Sequence, residues 1–126
     1  MLKECGTSYQ KRPLLYAVVS SPKNLARIEE IRNNNLKRTG LIAGEANDKE
    51  QLAIVWLSFG VHGNEAGASE SALQVVYELA NSDNKQVQDW LKNTVVAVVN
   101  WCVTSFCNPC SKSFIIFLFS SFIVNE

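Results

Sequence analysis

The stretch Leu52–Ala80, "LAIVWLSFGVHGNEAGASESALQVVYELA", changes its hydrophobic period in the middle. Its first nine residues are apolar almost without interruption, as in a strand covered on both faces of a sheet. From Ala66 the period becomes helical, with Ala72, Leu73, Val76, Tyr77 and Ala80 on one predicted face. Between strand and helix lies a turn whose Gly60 and Gly63 let the backbone reverse and whose Asn64 tolerates unusual dihedrals. His62, the only histidine of the chain, sits in that turn, three residues before Glu65.

Working outward, "PLLYAVVS" at 13–20 reads as a buried strand. "SPKNLARIEEIRNNN" at 21–35 reads as one amphipathic helix, with Ser21 as cap, Pro22 in the first turn, and Leu25, Ile28, Ile31 and Arg32 at helical spacing; the Asn triplet and Gly40 should end it. "LIAGEANDKEQ" is a polar connection into the central strand. After the second helix, "NSDNK" is a turn, "QVQDWLKN" a short helix and "TVVAVV" another buried strand. Strand, helix, strand, helix, strand is the pattern of a layered α/β domain.

Composition narrows the function. The chain has 126 residues, 47% of them hydrophobic, enough for one globular domain with a core of its own. Twelve basic residues balance twelve acidic ones without blocks, so no electrostatic footprint for nucleic acid or an anionic membrane is present. The start "MLKECGTSYQKRP" lacks the apolar core of a signal peptide, and the compartment stays open. The apolar run Phe114–Val124 is about half of the roughly 20 residues needed to span a bilayer, so no membrane span is expected.

A histidine nitrogen and a carboxylate oxygen are both good zinc ligands, and a tight turn can aim both at one ion. In open α/β sheets, ligands sit outside the carboxyl ends of strands, where this turn falls. The same pair also suits a plain helix start, with Glu65 stabilised by the helix dipole and His62 on the surface. On the two residues alone, both readings stand.

The surroundings go further. "WLSFGVHGNEAGASESALQVVYELA" resembles the first zinc-binding segment of the carboxypeptidase A-like zinc metallocarboxypeptidases. Upstream, "SYQKRPLLYAVVSSPKNLARIEEIR" is similar to that family's opening segments, and downstream "VQDWLKNTVVAVV" is similar to the helix and strand that follow. The resemblance covers about Thr7 to Val99 and implies an incomplete carboxypeptidase-like fold, a truncated α/β/α domain with a mixed, mostly buried sheet. It divides the chain into residues 7–100, the N-terminal part of such a domain, and 101–126, a tail that does not match.

It further implies zinc as cofactor, with His62 and Glu65 as two of three protein ligands, and the C-terminus of a peptide or protein as the parent family's substrate. The rest of the family's machinery has no counterpart. The resemblance calls for an Asn-Pro-Asp-Gly turn after the last strand, then a second histidine, arginines and a catalytic glutamate. The last arginine is Arg38, and beyond Glu78 the only glutamate is Glu126. No catalytic residue is therefore assigned. The chain is expected to be inactive as it stands, and the alternative is a non-enzymatic metal-binding or structural remnant whose zinc site has lapsed.

From Cys102 onward the composition changes. This tail holds five of the six phenylalanines and three of the four cysteines, but its only charged residues are Lys112 and Glu126. Such a break where the resemblance stops reads as a shifted frame, a retained intron or a mis-set gene end. Cys102, Cys107 and Cys110 have the spacing of three iron–sulfur ligands, but the fourth cysteine is missing, which leaves reduced thiols in an apolar tail as the simpler reading. Apolar strands without neighbours, together with this tail, point to self-association. Trp56 is expected in the core and Trp90 in helix packing, with Arg12 and Arg27 as surface charges. Ser69 and Ser71 have no histidine base nearby in sequence.

Overall fold

The computed structural model describes residues 1–7, 11–60 and 66–100. The strands are β1 (Leu2–Thr7), β2 (Pro13–Val19), β3 (Ala53–Phe59) and β4 (Thr94–Asn100). The helices are α1 (Pro22–Ala26), α2 (Ile28–Arg38), α3 (Ala66–Ala80) and α4 (Lys85–Lys92), with a single 3₁₀ turn at Asp48–Glu50. The strands form one mixed sheet in the order β1-β2-β4-β3. β2 is antiparallel to β1 and β4, whereas β3 and β4 run parallel over their whole length, Ala53 opposite Thr94 and Phe59 opposite Asn100.

Alternation along β4 divides the core in two. Val95 and Val99 pack with Tyr16, Val18 and Ile31 on the side of α1 and α2. Val96 and Val98 pack with Ala72, Val87 and Leu91 on the side of α3 and α4. Successive side chains of a strand point to opposite faces, so an unbroken apolar run such as Val95–Val99 is what a strand between two helical layers requires. The result is the expected α/β/α layering.

The predicted helix at 21–35 is two helices. Ser21 caps α1 as expected, its Oγ accepting from the Asn24 amide N–H at 3.3 Å, and Pro22 follows. The chain then breaks at Arg27, with φ −120° and ψ 28°, and resumes as α2. The break comes three residues after Asn24, whose side chain is held elsewhere. The Asn24 Nδ2 group donates to Ser20 Oγ at 3.0 Å and to the carbonyls of Leu91 and Lys92 at 3.1 and 3.0 Å. Ser20 Oγ in turn lies 2.6 Å from the carbonyl of Thr94. The last carbonyls of α4, which no helical N–H can reach, are thus satisfied by a buried polar clasp from the far end of the chain.

α2 also runs further than predicted, through the Asn triplet to Arg38. It ends where Gly40, at φ +72°, turns left-handed, so that the Gly40 N–H meets the Lys37 carbonyl at 3.0 Å and the Leu41 N–H meets that of Leu36 at 2.9 Å. Those paired bonds make a Schellman motif, which glycine permits without a Cβ penalty. Asn35 is buried, and Thr39 Oγ1 donates to its carbonyl at 3.2 Å, so tertiary burial overrides the weak helix propensity of asparagine.

Three expectations about faces need correction. α3 spans the predicted residues but buries Ala72, with Val75, Val76 and Leu79 beside it, while Leu73 and Tyr77 are 72% and 68% exposed. Two apolar stripes overlap in this helix, and the sheet takes the one with the small residue at its centre, which lets the helix approach closely. Trp90 is likewise exposed, because Val87 and Leu91 form the inner stripe of α4. β3 contacts both helical layers, but at the margin of the sheet its residues are only half-buried. Trp56 packs against Leu36 and the α2-side core, in line with its predicted place. β1 was not foreseen from the charged N-terminal segment. It pairs in register with β2 apart from an irregularity between Glu4 and Gly6.

Candidate functional site

The parallel pair β3–β4 sends two carboxyl ends to one edge of the sheet. At that edge β3 ends at Phe59, and the buried Gly60 adopts φ +62°. A left-handed φ at a buried position strongly favours glycine, so the sharp exit from β3 is specified by this residue. α3 begins at Ala66 and packs back across the same face as Val55, Leu57 and Phe59. The carboxyl end of β3 and the start of α3 are thus both held by packed elements, and in α/β folds ligands gather outside the carboxyl ends of strands.

His62 and Glu65 belong to this loop and lie outside the described residues, as do Cys102, Cys107 and Cys110. Among the described residues, no group of three His, Cys, Asp or Glu side chains is placed to hold a metal ion. Ser71, in the first turns of α3, donates its hydroxyl to the carbonyl of Gly67 at 2.8 Å, a local helix bond.

The charged groups that the structure does place cluster around α2, on the other side of the sheet. Arg27 is a partly exposed charge held by two carboxylates. Its guanidinium meets Glu50 at 3.0 Å and Glu30 at 3.8 Å, and the hydrogen bond to Glu50 raises its already high pKa. Glu29 accepts from Lys3 at 2.9 Å, which holds its carboxyl below the usual range. Arg38 ties Asp48 at 3.1 Å, and with Asn34 it pins the connection between α2 and β3 through Asn47. None of these groups lies on the α3 side, where the loop carrying His62 and Glu65 ends.

A family model described as zinc carboxypeptidase matches residues 1–101 of the 126. The chain belongs to the zinc carboxypeptidase family. The match ends one residue beyond β4 and is consistent with the N-terminal part of a zinc carboxypeptidase catalytic domain. Searches of curated proteins and of solved structures return no match.

Zinc belongs to the parent family, and His62 and Glu65, three positions apart in sequence, carry an imidazole and a carboxylate, donors of the type zinc prefers. The donor set fits zinc as far as it goes, and it goes to two. Asn24, for which no sequence motif suggests a role, is among the most buried polar side chains and joins α1 to α4. An asparagine in the first turn of an amphipathic helix, facing the same way as its apolar residues, was the available signal.

Proposed function

We propose that the chain is the N-terminal part of a metallocarboxypeptidase domain, residues 7–100, followed by an unrelated tail at 101–126, and that His62 and Glu65 are two of the ligands of its zinc. The observation that carries this reading is the coincidence of the family match with the fold. In sequence, the one His-x-x-Glu of the chain falls between β3, which runs parallel to β4, and α3, which supports this reading. In the intact parent the reaction would be hydrolysis of the C-terminal peptide bond of a peptide or protein.

When bound, zinc supplies Lewis acidity toward a carbonyl and a water of lowered pKa. The residues of this chain have narrower tasks. His62 offers one ring nitrogen and Glu65 one carboxylate, while Gly60 sets the direction in which the loop leaves the sheet. A catalytic zinc site of this type takes three protein ligands, and the reaction needs a general base and cationic groups for the substrate carboxylate. With one histidine in the sequence and no arginine after Arg38, the isolated chain does not turn over peptides. The same observation favours a second reading, a non-enzymatic remnant that retains the fold but has lost the ion.

Zinc titration of the purified chain separates the two. On the first reading the chain binds zinc, and His62→Ala weakens binding by more than about tenfold, since even loss of a group supporting a ligand costs that much. Glu65→Gln weakens it as well. Zinc affinity that is unchanged in both variants removes them as ligands and leaves the remnant reading. Size-exclusion chromatography tests the expected self-association, which a sharp monomer peak would contradict.

A further inference from the structure

On the side of the sheet away from α3, a cavity of about 290 Å³ lies beneath α2. Its floor is Tyr16 and Val18 of β2 with Val95 and Ala97 of β4, and its roof is Ile28 and Ile31 of α2. The cavity is partly open, and its inner wall is apolar, so an apolar group entering it would gain dispersion contacts there. The volume is about twice that of a ~150 Å³ apolar cavity able to hold benzene.

The mouth is charged. Lys3, Glu29 and Arg32 stand there, all partly exposed, with Glu29 Oε1 2.9 Å from Lys3 Nζ and Glu29 Oε2 3.9 Å from Arg32 Nη1. Two cations to one carboxylate give these three side chains a net charge of +1. An ammonium carries three donors, and the bond to Glu29 uses one of those on Lys3. Glu29 is itself 62% exposed and can move aside at small cost.

An apolar interior closed by a cationic rim selects for a molecule with both properties. We propose that this cavity binds a small amphiphilic monoanion, a carboxylate on an aliphatic chain of about six to eight carbons, a length set by the volume. The chain fills the space between β4 and α2, and the carboxylate lies at the mouth beside Lys3 and Arg32. A doubly charged, strongly hydrated phosphate exceeds the charge of the rim and has no apolar part to bury. The site is independent of the zinc reading, since it lies on the opposite face from α3 and shares no residue with the loop of His62 and Glu65.

Calorimetric titration of the full chain with octanoate, octan-1-ol and acetate tests it. Octanoate should saturate at one molecule per chain, octan-1-ol should bind about fivefold more weakly, as befits one exposed charge interaction, and acetate should give no saturable signal. Lys3→Gln, a substitution at a partly exposed position, should bring octanoate down to the affinity of the alcohol. Ala97→Leu, which places methyl groups in the cavity, should abolish binding of both, with circular dichroism confirming that the sheet persists. No saturable octanoate binding, equal affinity for octanoate and octan-1-ol, or undiminished binding in folded Ala97→Leu would each overturn the assignment.

Discussion

β3 and β4 are paired residue for residue and are both largely apolar, yet they occupy different environments. Val95 to Val99 of β4 are each 2–6% exposed. Their partners on β3 are half-buried or exposed. The difference lies in sheet position. β4 has a strand on either side, and its entry is fixed by the Ser20–Asn24 clasp on the end of α4. β3 has only β4 beside it among the described residues, and it is entered from an exposed polar connection. An apolar run therefore identifies a strand without telling whether it is central or marginal.

Charge insertion gives the sharpest contrast. Val98→Asp buries a carboxylate between Val87, Leu91 and Ala72 and should cost more than about 4 kcal/mol, enough to abolish cooperative thermal unfolding. Leu57→Asp, at the register partner, should cost less than half as much and leave a measurable transition. If both variants unfold alike, β3 is as enclosed as β4 and the comparison fails.

Removing the clasp comes next. Asn24→Ala leaves the carbonyls of Leu91 and Lys92 without this donor and should destabilise by about 1–3 kcal/mol in denaturant titration. Amide exchange should speed up most at the start of β4. A uniform effect over the sheet would mean that the clasp supports the whole fold and not this one entry.

Truncation of matched valines is a finer probe. Val96→Ala should cost about 2 kcal/mol and its partner Val55→Ala about 1 kcal/mol, in proportion to the methyl groups withdrawn from water.

The smallest effect concerns the ion pair over the α2-side cavity. Lys3 lowers the pKa of Glu29 in the folded chain, so its contribution is fully present above the unfolded carboxyl pKa and is lost as pH falls through the lower folded value. For so exposed a pair the contribution is about 0.2–1 kcal/mol. Glu29→Gln should flatten that part of the acid limb of stability against pH, and an unchanged limb would show that the pair contributes nothing.

The strands and helices that carry a strong period were legible in the sequence. The change of period between β3 and α3 marks that strand and helix, and the unbroken apolar run Val95–Val99 marks β4. What could not be read was which of two competing stripes a helix buries. On α3, Leu73 with Tyr77 and Ala72 with Val76 both have helical spacing, and only the sheet decides between them. The break at Arg27 was hidden for a related reason, because the partners of Asn24 lie 67 and 68 residues away. β1 was missed because its alternation is charged and its stability comes from pairing with β2. Of the candidate site, the sequence offers the chemistry of two donors, His62 and Glu65, between β3 and α3, and both lie outside the described residues.

The position of β4 also has a consequence in time. Val19 of β2 pairs with Val96, so the strand that fills the middle of the sheet is the last of the four to be synthesised. At about 5–20 residues per second, a nascent chain spends roughly 4–15 s between completing β2 and presenting its neighbour. During that interval β1 and β2 can pair only with each other, β3 has no partner from the sheet, and α1 has nothing to clasp. The fold closes late and through contacts distant in sequence, which predicts slow folding and places the chain's most exposed moments on the ribosome, before Thr94 emerges.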